Sequence, residues 1–420
     1  MVIIFGNSFF IFEGSAITYS NPSTTPLWSY STGNQYVSAV AISSDGNYIT
    51  AASENLVYNI SMKANGNLFL FDNSNSTDKN PLWNYSISNG FYSLAISANG
   101  SYIIAGGDNS ERIIYLFNNS EPTPEWTYSV NGWVYDVTIS DDDDYIAVAG
   151  GERRKVFLFN TTESLPIMEY STTGLTLRVA ISSNGSFMVA SDNAQKLYFF
   201  NTSNNSPDWT FTLSGEMSSA LSISADGNYI ASGGDNVYLF RKNSSIPLWT
   251  YISSGYVRSI KISQDGNYIV AGDDLPDHKV YLFNRNSSIP EWTYSTGQDI
   301  SSVAISYNGD YVVALSNDHF LYLFNKSSST PIWRYRLDGY PTASYDYSLE
   351  ISSDGKYIVA GGRHCVYLFD RDIIRPPRLI IPGYNPFIIF LIIGVITLTS
   401  SIVVFHKFKR IQRKITERVK

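Results

Sequence analysis

The feature that most constrains this chain is a short pattern, Pro-x-Trp-x-Tyr/Phe, which returns at intervals of roughly 40 residues. It begins at Pro26 and recurs at Pro81, Pro124, Pro166, Pro207, Pro247, Pro290 and Pro331, with Met168 standing once for the tryptophan. A unit of that length cannot bury its apolar face alone. Neighbouring units must stack, and the period points to a propeller or another repeat array. A ring of blades spends most of a 420-residue chain on one closed domain.

Each repeat reads as four strands. The first ends in Ile-Ser, as at Val40 to Ser43, and returns at Ile96, Ile139, Ile181, Ile223, Ile262, Ile305 and Ile351. Asp-Gly or Asn-Gly follows at Gly46, Gly100, Gly185, Gly227, Gly266, Gly309 and Gly355, the signature of a two-residue hairpin with positive φ. The third repeat breaks this rule with Asp141 to Asp144. A second strand such as Tyr268 to Gly272 and a third such as Val237 to Phe240 come next, and the tryptophan strand is fourth. These strands are apolar on both faces, as expected where each blade packs between two others. The last repeat, Ser348 to Asp370, has no fourth strand, whereas Leu27 to Thr32 precedes the first repeat. The expectation is an all-β, eight-bladed β-propeller over residues 21–372, closed by an N-terminal outer strand so that no edge is left open.

Ile-Ser-x-Asp-Gly-x-Tyr-Ile-x-Ala-Gly-Gly resembles a WD40 repeat lacking the Gly-His and Trp-Asp dipeptides. Leu-Trp-Ser-Tyr-Ser-Thr-Gly resembles the outer strand of the PQQ-like, or quinoprotein-type, propeller repeat. The resemblance covers most of the chain and implies the propeller fold. It leaves function open, because such folds host enzymes, assembly scaffolds and binding modules. The leading expectation is a non-enzymatic scaffold that binds proteins or other ligands. One alternative is a PQQ-dependent dehydrogenase, for which the resemblance implies a calcium-binding carboxylate set and often a vicinal cysteine pair. Another is a factor for envelope protein assembly. Cys365 is the only cysteine, and no carboxylate set stands out, so no cofactor is expected.

The termini suggest a place for such a ring. Residues 1–16 are apolar and end in Gly14, Ser15 and Ala16, like a secretion signal without its basic start. A proline-broken linker, 373–386, leads to Phe387–Phe405, which carries no charge and is long enough for a transmembrane helix. Residues 406–420 form a basic tail, cytoplasmic by the positive-inside rule, which puts the propeller outside. The last fourteen residues hold seven Lys/Arg and one Glu, so with −8 overall everything before them is near −14. An acidic ectodomain argues against a nucleic-acid partner. Asn-x-Ser/Thr acceptors follow the third strand at Asn75, Asn118, Asn160, Asn201, Asn243, Asn286 and Asn325, marking one face of the ring for glycosylation.

No catalytic constellation is present: His278, His319, His364 and His406 lack ligand or triad spacing. No metal site is assigned; Asp273, Asp274 and Asp277 are the densest set of oxygen ligands. In the innermost strands one column is small (Ala41, Ala95, Thr138, Ala180, Ser222, Ala304) except for Lys261 and Glu350, which are expected to reach into the central channel. Asp136 and Arg178 share another column in adjacent blades and read as a structural pair. Two insertions, one holding Tyr58 and one holding Tyr340, Tyr345, Asp346 and Tyr347, belong to blades one and eight. They are expected to meet on the face opposite the Asn-x-Ser/Thr positions as a patch for a partner protein or glycan.

Overall fold

The computed structural model describes residues 2–5, 8–11, 18–19, 24–55, 65–74, 80–107, 112–215, 220–337, 349–374 and 379–380. They fall into two bodies. One spans Pro22–Arg375, and the other joins Met1–Asn21 with Pro376–Lys420. In the smaller body Val2–Phe5 pairs with Ser8–Ile11, and Thr18–Tyr19 with Leu379–Ile380.

The larger body holds eight four-stranded antiparallel sheets. Blade one is Tyr36–Ile42, Tyr48–Glu54, Gly66–Asp72 and Trp83–Ile87, numbered from the axis outward. Blades two to seven repeat that order, and blade eight is Leu349–Ile351, Tyr357–Gly361, Cys365–Asp370 and Trp28–Ser31. The last pairing runs Leu368 to Trp28 and Cys365 to Ser31, so the two ends of the ring share one sheet. The second and third strands are almost wholly buried, with Ile49, Leu70, Leu158, Val280 and Phe324 at zero exposure. A strand packed on both faces has no solvent side, which explains the missing polar alternation.

The tryptophans join blades. The indole Nε1–H of Trp83 donates to the Asn119 carbonyl (2.8 Å), Trp126 to Thr161 (2.7 Å), Trp209 to Lys242 (2.7 Å) and Trp249 to Arg285 (2.8 Å). Trp292 donates to Lys326 (2.8 Å) and Trp333 to Arg371 (3.0 Å). In each case the acceptor follows the third strand of the next blade. A ring packed on its neighbour, with its one polar atom satisfied there, uses tryptophan's apolar body and single donor together.

The first turns differ from the expected two-residue hairpin. Ser43 N–H reaches the Tyr48 carbonyl (2.9 Å), and Gly46 N–H reaches the Ser43 carbonyl (2.9 Å), so four residues make the turn. Only Gly46 has positive φ (74°), whereas the two-residue type built on Asp-Gly needs positive φ at both central positions. The aspartate instead accepts hydrogen bonds: Asp45 Oδ1 takes the Ser43 hydroxyl (2.6 Å) and Asn47 N–H (2.9 Å). A Cβ on Gly46 would also lie 2.4 Å from the Tyr357 ring of the preceding blade. In blade three Asp142 is the acceptor and Asp143, at φ 66°, takes the glycine's place, so the aspartate run is the same turn. Around the axis these turns bond to one another, ending with Tyr307 N–H to Ser353 O and Ser353 N–H to Ser44 O (both 2.9 Å), which joins blade eight to blade one.

Candidate functional site

The topology gives the ring two unlike faces. First turns and third-to-outer connections share one, here the turn face; second-to-third and outer-to-inner connections share the other, the open face. On the turn face Asn118, Asn160, Asn201 and Asn325 each cap a turn. Each Oδ1 accepts the N–H two residues on, at 3.0, 3.0, 3.1 and 3.0 Å. In three of them it also takes the Thr162, Ser203 or Ser327 hydroxyl at 2.6, 2.7 and 2.6 Å. The Asn-x-Ser/Thr spacing therefore recurs for a reason of turn geometry. Asn243 and Asn286 are exposed, and Asn75 lies outside the described residues.

The inner strands enclose a central cavity of about 450 Å³, lined among others by Asp136, Arg178, Lys261 and Glu350. Lys261 Nζ in blade six stands 3.8 Å from Glu350 Oε1 in blade eight. The inner strands surround Glu350, so burial pushes its carboxyl above its usual range, with the Lys261 charge opposing. Burial also raises Asp136, against the charge of Arg178, the Val179 N–H (3.0 Å) and Lys261. Asp136 thus ties blade three to blade four, and through Ser93 (3.3 Å) to blade two. Lys261 and Glu350 span blades six and eight, whereas Asp136 links adjacent blades.

Where the inner strand meets the open face, Asp136 pairs with Ala149 while Val134 pairs with Gly150, leaving Tyr135 as a bulge. The same irregularity in blade two leaves Tyr92. Bulges re-aim a side chain. Here they place both tyrosines on the lining of the cavity, and Trp133 packs against Tyr135. Trp133 and Tyr135 stack at 5.5 Å (29°), and Tyr92 meets Tyr135 edge-on at 5.7 Å (80°). The sequence held a signal for this group: Trp133 is the one tryptophan of eight outside the repeated pattern.

The aspartates of blade six are occupied by their own chain. Asp273 accepts the Tyr281 hydroxyl (2.7 Å), Lys279 N–H (2.5 Å) and the Ser253 hydroxyl (3.1 Å). Asp274 pairs with Arg258 (2.9 Å), and Asp277 with Lys279 (2.6 Å) and the Ser254 hydroxyl. The Tyr–Asp contact recurs at Tyr198–Asp192 (2.8 Å) and Tyr322–Asp318 (2.6 Å), which makes it part of the blade. Burial, with hydrogen bonds from Thr173 opposing, pushes the Tyr198 hydroxyl up to about 12. Among the described residues no group of three His, Cys, Asp or Glu could hold a metal ion. Tyr58, Tyr340, Tyr345, Asp346 and Tyr347 lie outside the described residues, as do 387–405. Among the described residues no helix is long and apolar enough to cross a membrane.

Two stretches, residues 24–58 and 245–284, match the family model of the WD domain, G-beta repeat. These repeats are WD40-like. Each match begins on an outer strand and continues into the next blade, the same offset that closes the ring. No match was found among curated proteins. Among solved structures the propeller is similar to Sqt1 of Chaetomium thermophilum, crystallised bound to the N-terminus of the ribosomal protein L10. The two share 14% identity and a TM-score of 0.70, over 83% of this chain and 100% of that one. A second crystal structure of Chaetomium thermophilum Sqt1 gives a TM-score of 0.71 at 14% identity, over 83% of this chain and 98% of that one. At that identity the likeness speaks for the fold.

Proposed function

We propose that this chain is a membrane-anchored extracellular propeller that acts as a non-enzymatic protein-binding scaffold, with partners held on the open face. The contrast between the two faces carries this reading. On the turn face each blade repeats nearly the same turn, bonded to the next. On the open face the connections differ in length and content from blade to blade, and aromatic side chains gather at the cavity mouth. Varied loops on a rigid frame, with tyrosine and tryptophan among them, are the usual form of a protein-binding surface. Sqt1, of similar fold, was crystallised with a ribosomal protein segment, which is consistent with a protein partner here.

The anchor is read from the sequence that follows the propeller. Strand Cys365–Asp370 runs out on the turn face, where Arg371 N–H meets the Lys356 carbonyl (2.8 Å). The uncharged stretch Phe387–Phe405 follows within a short linker. The test is a photo-crosslinking residue placed at Tyr92, and separately at Asn47 on the turn face, in cells carrying the full chain. Protein adducts from position 92 and few from position 47 are expected. Adducts from neither, or equally from both, would overturn the reading.

A further inference from the structure

We propose that the outer edge of blade five pairs with a second copy of this chain, joining two propellers through an antiparallel ladder centred on Thr250. This surface lies on the rim of the ring, apart from the open face, and stands whether or not a partner binds there. Strand Trp249–Ile252 pairs with Asn236–Arg241 on one side only, so its other edge presents backbone groups to solvent. Every blade ends in such an edge, and side chains set this one apart. Leu248, Thr250 and Ile252 alternate along the chain, so they share one face. Ile252 is 82% exposed, the most of any large apolar side chain among the described residues, and Leu248 is 44% exposed. In the other blades the place of Ile252 is held by serine, threonine or, at Arg336, arginine. Edges are commonly blunted by charge, as Glu169 and Arg334 do at the place of Thr250 in blades three and seven. From Asn243 to Val257 there is no charged residue at all.

The spacing selects the occupant. A two-fold axis through Thr250 sets Thr250 opposite its own counterpart, and Leu248 of each copy opposite Ile252 of the other. Threonine against threonine, and apolar against branched apolar, are pairs that stabilise antiparallel strands. The strand is thus its own complement, which is the condition for a closed two-fold interface. The same axis in blade seven would set Arg334 against Arg334, and in blade three Glu169 against Glu169, and both would repel. In blades four and six it would set Asp208 against Thr212 and Glu291 against Ser295, with no apolar pair. Pro247, which has no N–H, ends the ladder on one side, and Asn243 stands beyond it, outside the paired span. A ladder this short covers less than the about 800 Å² per partner of a standard interface. The pair is therefore weak, and covalent trapping is the way to read it.

Opposed Cα atoms in an antiparallel ladder are about 4.5–5.5 Å apart, a distance that a disulfide spans. The full chain carrying Thr250→Cys is oxidised with copper phenanthroline in detergent and run on a non-reducing gel. It should give covalent dimer at least about tenfold above Thr210→Cys and Thr293→Cys, the same position in blades four and six. The parent chain, whose one cysteine, Cys365, is half-buried, sets the baseline. Adding Ile252→Lys, which sets an ammonium beside Leu248 of the second copy, should lower the yield about fivefold. Adding Leu248→Glu as well should restore it, because in this register the two new charges face each other across the interface. Positions 248, 250 and 252 are exposed, so melting temperatures should stay at the parent value. Equal dimer at all three cysteines would mean chance collision or association through another part of the chain, and would overturn the proposal. So would no dimer at Thr250→Cys, full yield with Ile252→Lys, or no recovery with Leu248→Glu.

Discussion

Ring closure can be tested at Trp28. Its side chain is 3% exposed and comes from the N-terminal outer strand of blade eight. Its ring lies 5.2 Å from that of Phe71 in blade one. Val37, Val40, Ile49, Val359, Val366 and Leu368 complete the cluster, so residues from both ends of the propeller meet on one indole. Trp28→Ala removes that filling and leaves a cavity, at a cost of about 3–5 kcal/mol. Removing residues 1–32 goes further. It also loses the pairing of Trp28–Ser31 with Cys365–Leu368, and the flanking bonds Leu27 N–H to Leu368 O (2.7 Å) and Thr32 N–H to His364 O (2.9 Å). At about 1 kcal/mol net for each hydrogen bond, the truncation should cost several kcal/mol more than the point change. It should also expose an edge strand that self-associates. Urea unfolding followed by tryptophan fluorescence, with light scattering for association, reads both effects. A truncated chain that stays monomeric and unfolds at the full-length midpoint would refute the closure.

Four further outcomes are expected. Trp249→Phe removes the indole N–H together with part of the ring and strands the Arg285 carbonyl, and should lower stability by about 1–3 kcal/mol in denaturant titrations; a neutral result would deny the bond a role between blades. Glu350 has a folded-state pKa raised by burial, so its contribution is fully present below the ordinary glutamate range, near pH 4, and is lost as pH rises through the raised value. Melting curves of the full chain and of Glu350→Gln should therefore differ most in favour of the full chain at low pH, and a pH-independent difference would contradict the assignment. Protease added to intact cells should cut near Pro376, release the propeller and spare the basic tail; a protected propeller would reverse the topology. Replacing both Tyr345 and Tyr347 by alanine should weaken partner binding without moving the melting temperature, and unchanged affinity would remove that loop from the surface.

What could be read in the sequence was what every blade repeats. The eight-fold pattern, the order of strands and the N-terminal closure follow from counting copies, because each copy answers the same packing problem. The reason for the tryptophan could not be read, since its partner is a carbonyl of the next blade that no local pattern marks. The first turn was legible as a turn but not as its type, because Asp45 works through its side chain and only Gly46 needs positive φ. The Asn-x-Ser/Thr spacing suggested sugar attachment, while Asn160 and Asn201 also serve as turn caps, a use that the same three residues spell equally well.

The aromatic cluster was missed for a related reason. Attention to loop length finds insertions, whereas Tyr92 and Tyr135 stand on inner strands of ordinary length and are turned outward by a bulge. The better guide is departure from a column. A residue present in every blade is accounted for by the junction it makes, as with the tryptophans and the turn glycines. A residue that appears once cannot be, because seven equivalent junctions hold without it. Trp133 is such a residue, and so are Lys261 and Glu350. The last two face each other across the cavity, and their departure is answered within the ring. Trp133 keeps a buried donor that no described residue meets, so its departure calls for something the ring itself does not supply.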